Sequence, residues 1–277
     1  MSQFNYNNHR LTIENIPVIK VVKKNETPFY LYSKKQILEN LKNFRKTFLQ
    51  SKPLVCFSVK SNSNLSILKV LKEQQCGADV VSAGELLKVL KAGIKPNKIV
   101  FSGVGKSETE LRLAIKKNIL LINVESENEA KLINKISKKM KKKTSIGIRL
   151  NPDIDAKTHR KISTGKAQDK FGVSINDLIH LSKNLNKYKN LKLDAISVHI
   201  GSQILSENPF RKTLKVLGKI IQSLNLHLKF VDLGGGFGIS YEKKEKKINL
   251  KNYAKAVNKF KKKFRCNIIF EPGRTIL

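Results

Sequence analysis

The 277-residue chain has no tryptophan, two methionines and three cysteines. Cys56, Cys76 and Cys266 are odd in number and far apart, which gives neither a disulfide framework nor a metal-ligand spacing, and no bound metal is expected. No apolar run approaches the roughly 18 residues that a membrane-crossing helix needs. The polar opening, Met1-Ser-Gln-Phe-Asn-Tyr-Asn-Asn8, has no signal-peptide core, so the cytoplasm is the expected location. Acidic residues are scarce: 21 against 55 Lys and Arg, for a formal net charge of +34. Such a charge fits a polyanion partner. Arginine is scarce too, at eight of the 55, and the lysine runs Lys138–Lys143 and Lys243–Lys247 carry no interleaved aromatics for stacking bases. The charge therefore reads as lysines decorating solvated faces, with no specific nucleic acid and no membrane as partner.

What is present is a regular alternation. Pro28 to Tyr32 reads as an initial strand, after which Ser33 caps a helix with Ile37, Leu38, Leu41, Phe44 and Phe48 at helical spacing. Short apolar strands are then expected at Val55–Val59, Gly77–Ser82, Lys98–Gly103, Leu120–Val124, Ser145–Leu150, Leu193–His199, Phe230–Leu233 and Asn267–Phe270, with amphipathic helices between them. Helices are predicted over 65–75, 84–92 and 108–117, and from Ser126 into the 140s. Eight strands so separated predict an α/β fold, a parallel (β/α)8 barrel over residues 55–277, with residues 1–54 leading into it. The longest irregular stretch, Asn151 to Gly172, follows the fifth strand; a loop of that length in a barrel is usually functional.

In such a barrel the chemistry gathers where the strands end. Those ends read Lys60; Asp79 to Ser82; Ser102-Gly103; Arg149-Leu-Asn-Pro152; His199-Ile-Gly-Ser-Gln203; Gly234-Gly-Gly-Phe-Gly238; and Glu271-Pro-Gly-Arg274. Lys60 alone is equally a solvated lysine. Desolvated at a strand end, its proton affinity would drop and it could act as an amine nucleophile forming a Schiff base. Gly234 to Gly236 fails as a dinucleotide fingerprint, because the third glycine position is Ile239, but it suits a phosphate cradle after the seventh strand. His199 alone could be a satisfied core histidine, and Glu271 with Arg274 a local ion pair. Together they form the set pyridoxal phosphate asks for: an amine for its aldehyde, a surface for its ring, donors for its phosphate and an acid for its ring nitrogen.

The motifs Phe57-Ser-Val-Lys60-Ser-Asn62, Gly77-Ala-Asp-Val-Val-Ser-Ala-Gly-Glu-Leu86, His199-Ile-Gly-Ser-Gln203, Asp232-Leu-Gly-Gly-Gly-Phe-Gly-Ile239 and Glu271-Pro-Gly-Arg274 resemble those of the barrel-type (fold type III) pyridoxal-phosphate decarboxylases. That group includes ornithine and arginine decarboxylases and alanine racemase. His-Ile-Gly-Ser-Gln with Gly-Ala-Asp-Val-Val-Ser points to its diaminopimelate branch. The resemblance implies that Lys60 is the catalytic Schiff-base lysine and that His199 stacks on the cofactor ring. It implies that Ser202, Gly235, Gly236, Gly273 and Arg274 hold the phosphate, that Glu271 pairs with the ring nitrogen, and that Arg274 also meets a substrate carboxylate. Asp79 and Arg149 fall in the surrounding shell.

The implied reaction is decarboxylation of meso-2,6-diaminopimelate to L-lysine by a homodimer. The resemblance also implies an all-β domain after the barrel, so a chain stopping at Leu277 is expected to be a fragment that binds cofactor and is poorly active alone. A related amino-acid decarboxylase or racemase, or a non-catalytic cofactor-binding protein, remain as alternatives.

Overall fold

The computed structural model describes residues 3–156, 162, 164–165, 169–241 and 248–277. The lysine run 243–247 lies outside these residues, as does part of the long stretch 151–172. The chain opens with a small antiparallel sheet, β1 (Phe4–Asn7), β2 (Arg10–Ile13) and β3 (Ile16–Pro17), followed by a short helix α1 (Val18–Val22). Residues 28–32, expected to be a strand, pair with nothing in a sheet; the pairing is made instead by the residues before them. Helix α2 (Lys34–Thr47) then runs as expected from Ser33, whose hydroxyl accepts the Gln36 N–H.

The barrel strands are β4 (Leu54–Ser58), β5 (Gly77–Val80), β6 (Ile99–Phe101), β7 (Leu121–Val124), β8 (Thr144–Arg149), β9 (Leu191–Ser197), β10 (Phe230–Asp232) and β11 (Asn267–Phe270). They close in the order β10-β11-β4-β5-β6-β7-β8-β9, every neighbouring pair parallel. The crossover helices are α3 (Leu65–Glu73), α4 (Ala83–Lys91), α5 (Glu108–Lys117), α6 (Glu127–Lys139), α7 (Ile175–Lys183), α8 (Asn208–Ser223) and α9 (Lys251–Phe264). Serines at 82, 107, 126 and 174 cap α4 to α7, each accepting the third backbone N–H of its helix; Ser107 and Glu110 form a complete capping box. Among the described residues, no helix is long and apolar enough to cross a membrane.

Side chains two apart on a strand share a face, so each barrel strand sends successive inward residues to successive levels. One level is apolar: Cys56, Val100, Leu121, Ala195 and Ile269 form a buried cluster of their own with Phe230 against it. On β5 and β8 that level is glycine, because a Cβ at Gly77 would stand 2.2 Å from the Lys98 carbonyl and one at Gly147 would stand 2.3 Å from Asn123 Oδ1. Two residues further along each strand come Ser58, Asp79, Ser102, Asn123, Arg149, Ser197, Asp232 and Glu271, all buried and all polar. Phe44 of α2 and Phe48, which caps its C-terminus, meet Phe270, Phe237, Phe210 and Tyr253 in one aromatic cluster, with Phe48 and Phe270 centred 4.4 Å apart. That cluster fixes Phe237, and with it the glycine run, against the end of β11.

Candidate active site

The polar level of the barrel is the floor of a cavity of about 220 Å³, lined by Ser58, Lys60, Ser61, His199, Ser202, Gln203, Gly236, Phe237, Glu271, Gly273 and Arg274. A smaller recess of about 20 Å³ beneath it reaches Ser102, Asn123, Arg149 and Ser197. Apart from Gly235, every site residue named from the sequence lines the main cavity.

Lys60 sits in a single 3₁₀ turn, Val59–Ser61, directly after β4. Ser61 Oγ donates to the Ser58 carbonyl at 2.7 Å and closes that turn. Register pairs Ser58 with Asp79 across β4 and β5, and this places a carboxylate beneath the lysine. Lys60 Nζ donates to Asp79 Oδ2 at 3.3 Å, and Ser58 Oγ donates to the same oxygen at 2.8 Å. The sequence reading gave Lys60 a lowered proton affinity. The structure reverses it: the buried Asp79 carboxylate raises the lysine pKa, outweighing the opposing effect of burial, and Glu271 adds to the rise. At rest Lys60 is an ammonium ion, and Asp79 is its nearest base.

Glu271 stands at the end of β11, the strand beside β4. Burial and its neighbours Asp232 and Asp79 push its carboxyl well above the ordinary range, and its Oε1 has no hydrogen-bond partner. Asp232, fully buried, is raised to about 6 by desolvation although it accepts the Gly234 N–H at 3.0 Å and Asn123 Nδ2 at 3.4 Å. Arg149, lining the recess, pairs with Glu125 at 2.8 Å and stacks 4.8 Å from the Phe171 ring centre.

His199 follows β9. Desolvation, with Lys60 and Arg149 nearby, drives its pKa well below the usual histidine value, so the ring is neutral. Its Nδ1 accepts the Gly235 N–H at 3.3 Å, which leaves the proton on Nε2 and fixes the ring plane. The Gly235 N–H, expected to face a phosphate, is thus engaged with the histidine. The glycine run also has a reason beyond close approach of an anion. A Cβ at Gly235 would lie 2.1 Å from the Glu271 carbonyl and one at Gly236 2.0 Å from the Gly201 carbonyl, so only glycine lets the strand-end loops meet. Among the described residues, the backbone N–H groups of Gly236, Gly273 and Arg274 donate to no protein acceptor.

Gln203 locks the rim. Its amide donates to the Ile239 carbonyl at 2.6 Å and accepts the Ile239 N–H at 3.2 Å. Arg274 donates to the Tyr241 hydroxyl and lies over that ring, 5.7 Å from its centre. Sequence reasoning gave no role to Ser58, Asn123, Gln203, Asp232 or Tyr241. Three of these five, Ser58, Gln203 and Asp232, sit in motifs already singled out, and the period-2 alternation would have flagged Ser58, Asn123 and Asp232 as inward-facing.

These groups fit pyridoxal phosphate. The cavity holds one amine, a partnerless carboxyl oxygen, a fixed neutral imidazole and unengaged backbone donors on the loops after β10 and β11. Comparison with known proteins agrees. Residues 34–277 match the family described as pyridoxal-dependent decarboxylase, pyridoxal binding domain. The chain is 45% identical over 255 residues to a diaminopimelate decarboxylase of Helicobacter pylori, covering 91% of this chain and 63% of that protein. It is 39% identical over 275 residues to one from Aquifex aeolicus, covering 98% and 65%. The crystal structure of the Helicobacter pylori diaminopimelate decarboxylase complexed with L-lysine superposes with a TM-score of 0.89 at 42% identity, over 94% of this chain and 66% of that one. The chain thus spans a little under two thirds of the curated relatives it matches. On the strength of that match and of the cavity it folds into, the chain belongs to the pyridoxal-dependent decarboxylase family, through its pyridoxal-binding barrel domain.

Proposed function

We propose that this chain contributes the cofactor barrel to decarboxylation of meso-2,6-diaminopimelate to L-lysine, with Lys60 as the covalent anchor of pyridoxal phosphate. The observation that carries the reading is the pair that shares one cavity: the Lys60 amine after β4 and the partnerless Glu271 Oε1 at the end of the adjacent β11. The names of the relatives, and L-lysine in the related crystal structure, support the choice of substrate.

Lys60 would hold the cofactor through its aldehyde once the ammonium has given up a proton, and Asp79 Oδ2 at 3.3 Å orients that side chain in the cavity. Glu271 sits where it can hold a proton at the ring nitrogen. His199, its ring fixed through Nδ1, offers a flat face. Ser202 and the free N–H groups of Gly236, Gly273 and Arg274 suit a phosphate. Arg274, at the mouth with Tyr241, can offer a carboxylate two parallel donors. Bound pyridoxal phosphate supplies the electron-withdrawing ring that takes up the electron pair left when a carboxyl group departs. Assembly as a homodimer in the cytoplasm belongs to the same proposal and is supported by the family resemblance.

The test is to load the chain with pyridoxal phosphate, reduce it with borohydride and map the adduct by peptide mass spectrometry, alongside carbon dioxide release from meso-diaminopimelate. The adduct is expected on Lys60. An adduct elsewhere, or none at saturating cofactor, overturns the anchor; release from ornithine or arginine in preference to diaminopimelate overturns the substrate.

A further inference from the structure

We infer that Asp232 is a positioning residue that keeps one proton on the Glu271 carboxyl at the floor of the cavity. The inference rests on the reading of that cavity as the cofactor site. Asp232 ends β10 and Glu271 follows the adjacent β11 on the same buried polar level, with their carboxyls close enough to share a hydrogen bond. Ionised carboxylates only accept, so such a contact requires a proton between them.

Which residue carries the proton follows from the other partners. Asp232 already accepts two donors, the Gly234 N–H on Oδ1 and Asn123 Nδ2 on Oδ2, and donors of this kind favour the charged form. Glu271 has no such support on Oε1. The charges facing Glu271 are Asp232 from β10, Asp79 from β5 and Lys60 after β4. Asp79 and Lys60 are themselves an ion pair, so Asp232 is the charge left without a cation. Its charge falls on Glu271, the neighbouring carboxyl on β11, and holds the proton there.

The consequence concerns delivery of a proton. When the ring nitrogen arrives, Glu271 has a proton to give. One proton passes from the carboxyl to the nitrogen, Asp232 stays an anion, and the net charge of the site is unchanged. The cavity floor then holds two negative charges beside one N–H, which binds that proton more firmly than Glu271 could alone.

Infrared difference spectroscopy of the carboxyl C=O band over a pH series tests this, on the chain with pyridoxal phosphate bound and after its removal. In the cofactor-free wild type, a protonated-carboxyl band should persist above about 6, where Asp232 has released its own proton. Glu271→Gln should abolish it, and Asp232→Asn should lower its midpoint by at least about one unit. With cofactor bound, Asp232→Asn should lower the midpoint of ring protonation, read from cofactor absorbance, without loss of cofactor. Asp232→Ser repeats the test if the asparagine variant does not fold. A band that survives Glu271→Gln, or a midpoint unmoved by removing the Asp232 charge, overturns the inference. Failure to bind pyridoxal phosphate, with the cofactor-free bands behaving as stated, would instead overturn the functional reading and leave the proton assignment standing.

Discussion

Two levels of the barrel interior, one residue pair apart along the same strands, have opposite chemistry. Cys56, Val100, Leu121, Ala195 and Ile269 close the barrel with hydrocarbon and a thiol. Ser58, Ser102, Asn123, Ser197 and Glu271, two residues later on those five strands, are also buried and line the site. The apolar level is self-sufficient, whereas the polar level leaves Asp79 Oδ1, Asn123 Oδ1, Ser197 Oγ and Glu271 Oε1 without partners. Burying polar atoms unpaired costs free energy, on the order of 1–3 kcal/mol each. The difference between the two levels marks which one stabilises the barrel and which one awaits a ligand.

The comparison is broken most severely by moving polarity down one level. Leu121→Asn deletes hydrocarbon from the sealed layer and strands an amide in it. Truncation of a buried leucine costs roughly 2–5 kcal/mol, and the unpaired amide adds about 1–3 kcal/mol. The expected loss of about 4 kcal/mol is a large part of a typical domain's stability. A urea midpoint lowered with the slope unchanged would confirm it; a loss below about 1 kcal/mol would show that the lower layer is not the stabilising one.

Altering the chemistry of the upper level should instead spare the fold. Glu271→Gln keeps the shape and removes the carboxyl that holds a proton at the ring nitrogen. A charge-assisted hydrogen bond is worth about 1.5–3 kcal/mol, so carbon dioxide release in an active preparation should fall roughly 10- to 100-fold, with bound cofactor largely retained. Unchanged turnover would remove Glu271 from the chemistry.

How far the sequence carried this picture can be judged from particular residues. All eight barrel strands were legible, because short apolar runs bounded by turn residues leave few alternatives when helices of matching length intervene. The N-terminal sheet was not. Its two turns place Asn8, His9, Glu14 and Asn15 at positive φ, the backbone that two-residue hairpin turns require, but neither contains the glycine that normally announces such a turn. Tyr30, in the segment expected to be a strand, is 90% exposed. In the site, the gathering of strand-end residues on one cavity was legible and their electrostatics were not. Nothing local to Lys60 shows that strand register will set Asp79 beneath it, so the predicted direction of its pKa was reversed by a contact 19 residues away. The use of the Gly235 N–H by His199 is likewise a long-range fact, joining loops 36 residues apart.

The upper level should also write itself into the pH dependence of stability. Asp232 takes up its proton near 6 when folded, against an ordinary value of 3.8. Between those values the unfolded chain has released a proton that the folded chain retains, so stability declines as pH rises through the window and the penalty persists above it. Asp232→Asn should flatten that decline in urea midpoints measured across the range. A wild-type profile that rises there would place the buried carboxyls in the ordinary range and reduce the contrast between the two levels.

The smallest effect should come from Ser197→Ala. Its hydroxyl is buried on the polar level, reaches the recess under the cavity, and has no partner. Replacing it with a methyl removes a desolvated group whose cost is not recovered, so the cofactor-free chain should gain about 1 kcal/mol or stay level. Ala195, two residues earlier on the same strand, already shows that β9 accepts that side chain one level down. Affinity for pyridoxal phosphate should not rise with the stability. A variant that gained both would mean that the hydroxyl serves neither fold nor ligand; one that lost stability would mean that it is bonded in solution, and that the polar level is more nearly satisfied by its own residues than its unpartnered atoms indicate.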